Sequence, residues 1–102
     1  MKLYLISDNI DTQVGMRLAG IDGVVLHDPK AIMEAVRKTA EDEEIGVVLI
    51  TEKAADMVKD DIRAFRMSMH RPLIVEIPDR HGSRDIAGSI NSMVEESIGL
   101  KL

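Results

Sequence analysis

Asp79-Arg80-His81 puts three ionisable side chains on consecutive residues, just past Pro78 and just before Gly82-Ser83. A carboxylate beside a histidine can hold the imidazole in place for base catalysis. That chemistry lacks a nucleophile here: the chain has no cysteine, and Ser83 is better placed to cap the segment that follows. A metal would need further ligands, and the other two histidines, His27 and His70, stand isolated. The stretch therefore reads as a surface turn. Arg80 and His81 become candidate recognition residues, arginine being favoured at interfaces.

These residues need a frame, and the chain supplies one by alternation. Residues 3–6 are a short apolar run ending at Ser7-Asp8 and read as a buried strand. Asp8 or Asp11 is placed to cap a first helix, in which Val14 and Leu18 stand one turn apart and which Gly20 stops. Val24-Val25-Leu26 is a second strand. Asp28 at a cap and Pro29 at the first helical position open a second helix, with Ile32, Met33, Val36 and Ala40 on one face. The acidic run Glu41–Glu44 opposes a helix dipole at that end and reads as a solvated connection.

Residues 45–50 are the most strongly apolar run, as expected of a central strand covered on both faces. Thr51 is placed to cap the third helix. Along it Ala55, Val58, Ile62, Phe65 and Met69 recur at spacings of three and four. Pro72–Pro78 is a β-branched fourth strand closed by a proline at each end. Ser83 then opens a final helix carrying Ile86, Ile90, Met93 and Val94, and Gly99 stops it.

Strand–helix repeated four times predicts an α/β fold: a small doubly wound, four-stranded parallel sheet in the order 2-1-3-4, flavodoxin- or receiver-like, with a C-terminal helix. Residues 1–78 form the Rossmann-like body. Residues 79–102 form a turn and helix that belong to the same domain or move against it.

In such a sheet ligands sit beyond the carboxyl ends of the strands. That rim carries Ser7-Asp8, His27-Asp28, Thr51-Glu52 and Pro78–His81, and it is acidic. A Mg²⁺-dependent phosphoacceptor site needs an acidic pair after the first strand and an aspartate ending the third. Here the third ends in Ile50-Thr51, and there is no fifth strand to bring a lysine. Helix capping accounts for Asp8, Asp28 and Thr51 more simply. A nucleotide site fails as well, because residues 8–15 lack the closely spaced glycines of a pyrophosphate cradle. No cofactor and no catalytic residue is expected.

Composition narrows the partners. The chain has 102 residues, 45% hydrophobic and 30% charged, which suits one soluble domain with one core. Tyr4 and Phe65 are the only aromatics, so the core is aliphatic, with seven methionines as gap-fillers. A net charge of -5, with scattered basic residues, argues against nucleic acid. No apolar run approaches the roughly 20 residues of a membrane helix, and no signal-peptide pattern opens the chain. An intracellular protein without membrane insertion is expected.

Three motifs then stand together in order. Ser7-Asp8 with Thr12 and Gly15–Ile21 resembles the opening signature of the F subunit of V-type and archaeal-type ATP synthases. Residues 45–53 look like that family's central strand and helix start, and Arg71–Asp79 is similar to its proline-bounded strand. Met16 departs from the family, standing where an aromatic is common. The resemblance implies a non-catalytic component of the rotary central stalk in a proton- or sodium-translocating ATPase, with ATP chemistry on neighbouring subunits. It implies as partners the coiled-coil D subunit, a membrane-rotor adaptor subunit and, through the C-terminal helix, the catalytic head. It also implies a peripheral place on the cytoplasmic side of the membrane. Partner contacts are then expected at Arg80, His81, Ile86, Ile90, Met93 and Val94. The alternative is a free-standing receiver-like or small-ligand-binding domain.

Overall fold

A computed structural model describes residues 1–78 of the chain. In order these form β1 (Lys2–Ser7), α1 (Ile10–Leu18), β2 (Asp22–Val25), α2 (Pro29–Glu41), β3 (Ile45–Thr51), α3 (Glu52–Met57), α4 (Lys59–Ser68) and β4 (Leu73–Ile77). Every strand pair is parallel, and the sheet runs β2-β1-β3-β4. The α/β fold and the strand order expected from the sequence are both present.

The pleat sends alternate residues to opposite faces. On the first face Ile6, Val48, Ile50 and Ile74 pack under Ile32, Met33 and Val36 of α2, and under Ala54, Ala55, Val58 and Ile62 of the α3–α4 segment. On the second face Leu5, Val47, Leu49, Val75 and Ile77 form a separate cluster with Met16 of α1. Residues 45–51 are nearly all buried, which is why they read as an uninterrupted apolar run.

Two helices differ from the sequence expectation, each for a local reason. In α1 the buried residues are Thr12 and Met16. Ile10, Val14 and Leu18 are 64%, 50% and 85% exposed. At about 100° per residue, that second row lies roughly opposite the first and points outward. The third helix is broken in two at Val58, whose backbone leaves helical geometry (φ -132, ψ 31) while its side chain stays in the core. Asp60 and Asp61 follow in the first turn of α4, where negative charge complements a new helix N-terminus.

Two glycines are fixed by geometry. Gly20 stands just past α1 with φ +87, the left-handed conformation that ends helices and that side chains resist. Gly23 lies where β2 crowds β1: an added Cβ would sit 2.6 Å from Leu5 Cβ and 2.7 Å from the Leu5 carbonyl oxygen. Gly23→Ala is therefore expected to cost about 1–3 kcal/mol, the usual range for overpacking. Urea unfolding followed by circular dichroism checks it. A loss below about 0.5 kcal/mol, no larger than an ordinary surface change produces, would refute the close approach.

Candidate functional site

The carboxyl rim is assembled by turns that spend its polar groups. Ser7 is fully buried, and its Oγ donates to the Asn9 carbonyl at 2.7 Å and accepts from the Asn9 N–H at 3.0 Å. Asn9 is the cap of α1, its Oδ1 accepting from the Thr12 N–H at 2.8 Å. Its Nδ2 donates to Asp8 Oδ1 at 3.1 Å. The expected cap, Asp8 or Asp11, is thus replaced by a residue between them, because Asn9 stands three residues before Thr12 with extended backbone.

Thr51 also departs from expectation. It occupies the cap position of α3 but makes no capping bond there. Instead its Oγ1 accepts from the Asp8 N–H at 3.2 Å, stitching the end of β3 to the end of β1. His27 completes the tie across to β2: its Nε2 lies 2.8 Å from the Asp8 carbonyl, which can only accept, so that nitrogen carries the proton. Asp28 caps α2 as expected, accepting from the Ala31 N–H at 3.0 Å.

The rim is therefore a lattice of backbone-directed bonds around Asp8. No aspartate ends β3, and among the described residues no group of three His, Asp or Glu side chains is gathered to hold a metal ion. The rim organises loops; among the described residues it offers no nucleophile and no phosphate cradle.

A groove of about 440 Å³ lies between α2 and the β2–β1 side of the sheet. Tyr4, Val24 and Leu26 from the sheet and Ala35, Lys38 and Asp42 from the helix side help line it. The Thr39 hydroxyl there is used by its own helix, donating to the Val36 carbonyl. An apolar side chain fits this lining better than a reaction does.

Tyr4 gives the groove a measurable property. Burial pushes its phenol above the ordinary value, and the Asp22 carboxylate beside it in the strand pair adds to the effect. A raised folded-state value means stability that is present below about pH 10, the unfolded value, and lost as pH rises through the folded one. The chain has one tyrosine and no tryptophan, so phenolate absorbance reads this residue alone. Half-ionisation is expected at higher pH in the folded chain than in urea; equal midpoints would contradict the burial.

The sequence-based candidates Arg80, His81, Ile86, Ile90, Met93 and Val94 lie outside the described residues. Within those residues, the surface that sequence reasoning does not single out is the outward row of α1. Apolar residues four apart make it readable, but periodicity alone does not say which of two rows meets the sheet.

Comparison with known proteins points the same way as the three motifs. A family model described as ATP synthase (F/14-kDa) subunit matches residues 3–94. The F subunit of the A-type ATP synthase of Methanocaldococcus jannaschii is 32% identical over 100% of this chain and 99% of its own length. The corresponding F subunit of Thermococcus sibiricus is 31% identical over 100% and 98%. That of Methanosphaera stadtmanae is 32% identical over 90% and 88%.

Proposed function

The chain belongs to the family described as ATP synthase (F/14-kDa) subunit, and from that premise we propose that it is a non-catalytic central-stalk component of an A-type rotary ATPase. The observation that carries this reading is the extent of the match, which covers 100% of this chain and 99% of a relative's length. Catalytic sites then belong to other subunits. The rim around Asp8, with its polar groups committed to loop geometry, is in keeping with that division.

In this role the chain binds the coiled-coil D subunit and turns with it above a membrane-rotor adaptor, on the cytoplasmic side. It helps couple ATP synthesis or hydrolysis to proton or sodium movement. No helix among the described residues is long and apolar enough to cross a membrane, and the proposed attachment runs through protein contacts. The outward row Ile10, Val14 and Leu18 supports a helical partner. Residues four apart form a ridge of the kind that packs into the groove of another helix, and a coiled coil presents such grooves along its length.

Co-expression with the coiled-coil subunit tests the reading. A complex of fixed stoichiometry that survives size exclusion is expected. Two separate peaks at micromolar concentration would defeat the proposal. A Mg²⁺- or acetyl-phosphate-dependent change in the isolated chain would favour the receiver-like alternative.

A further inference from the structure

Among the described residues β2 and β4 are each paired on one side only. An unpaired strand presents a row of backbone donors and acceptors that can template a further strand. In a parallel ladder, successive residues turn both backbone groups alternately toward the neighbouring strand and away from it. The Leu26 N–H donates to the Ser7 carbonyl at 2.9 Å, so on β2 Val24 turns toward β1 while Gly23 and Val25 turn outward. The same alternation, carried through the pairs Leu5 with Leu49 and Val48 with Ile74, leaves Ile74 and Glu76 outward on β4. Each edge is therefore a short template with two outward residues.

At each edge one of the outward carbonyls is already taken by a side chain. Gln13 Nε2 donates to the Gly23 carbonyl at 3.1 Å. Arg66 Nη2 donates to the Ile74 carbonyl at 2.7 Å. In both cases the donor stands on the helix just before the edge strand, α1 before β2 and α4 before β4. The two helices lie on opposite faces of the sheet, so the edges are reached from different sides. What the two bonds share is location: both fall where the N–H of an added strand would otherwise bond.

We propose that Gln13 and Arg66 act as edge guards, closing both ends of the sheet to strand addition by a second copy of this chain. An incoming strand must displace the guard before it can bond to both outward residues. Arg66 is the stronger of the two, because a cationic donor makes the shorter and stronger bond. At β2 the guarded residue is a glycine, with no side chain of its own to obstruct an approaching strand. The chain then meets other proteins through its helix faces rather than by lending a sheet edge. This inference holds whether or not the central-stalk reading does.

Gln13→Met and Arg66→Met remove the donors while keeping straight-chain helix formers. Arg63→Met, at an exposed position on the same helix as Arg66, repeats the charge change of Arg66→Met. Sedimentation velocity over a micromolar concentration series reads self-association, and circular dichroism reads whether each variant is folded. The double variant of Gln13 and Arg66 is expected to self-associate at about 10-fold lower concentration than the parent, the combined effect of freeing two hydrogen-bonded carbonyls. Each single variant should show part of that shift. Arg66→Lys keeps a cationic donor and should sediment as the parent does. A double variant that sediments like the parent, or an Arg63→Met variant that associates as readily as the double, would overturn the proposal. So would loss of the folded signal in either single variant, because the bond would then serve to hold helix against sheet.

Discussion

Leu49→Ala is expected to lower the unfolding free energy by about 2–5 kcal/mol, the range for deleting a buried leucine side chain in a core that relaxes only partly. Leu49 is 0% exposed on the central strand, between Leu5 of β1 and Val75 of β4 in register. Neither neighbouring strand can move in to fill the space without losing its hydrogen-bond ladder. Set against a typical stability of about 5–15 kcal/mol, this loss is a large fraction of the total. The same chemical change at Leu18, 85% exposed, is expected to stay within about 0.5 kcal/mol. Urea titrations of the two variants, followed by far-ultraviolet circular dichroism, read the difference directly. Equal losses at both positions would mean that α1 turns its other side to the sheet.

The second large effect concerns assembly. Val14→Gln combined with Leu18→Gln removes the apolar part of the α1 ridge while keeping good helix formers on the surface. Stability is expected to be nearly unchanged, because both side chains already face solvent. Affinity for the coiled-coil stalk partner should fall about 100-fold, near 2.7 kcal/mol, in line with losing the burial of two aliphatic side chains. Binding measured by calorimetry, with Met67→Gln as an exposed control elsewhere, decides it. Undiminished affinity in the double variant would remove α1 from the interface.

How far the sequence leads can be seen element by element. Asp28-Pro29 announces α2 because a cap and a missing N–H act locally, and the structure has them in those roles. Residues 45–51 announce a central strand because burial on both faces leaves no polar position to hide it. Where the outcome depends on what lies across space, sequence is a weaker guide. Thr51 reads as the cap of its own helix, but a backbone N–H forty-three residues away reaches its hydroxyl. Asn9 is overshadowed by the acidic residues near it, although asparagine is as good a cap. Val14 and Leu18 mark a helix correctly but not its buried side, since Met16, one long flexible side chain, fills the contact instead. The break at Val58 leaves no trace in the apolar spacing, because both pieces keep the same row on the sheet.

The same parallel ladder has a consequence for how the chain acquires its fold. No two of the described strands are joined by a hairpin. Tyr4 finds a partner in Asp22, Lys2 in Ile45, and Leu73 in Val47. Each pairing must close a long loop before it gains a hydrogen bond, and such topologies fold slowly. During synthesis β1 has only β2 beside it until β3 has been made. Leu5 and Ile6, both destined for full burial, are therefore among the segments most in need of protection on the ribosome.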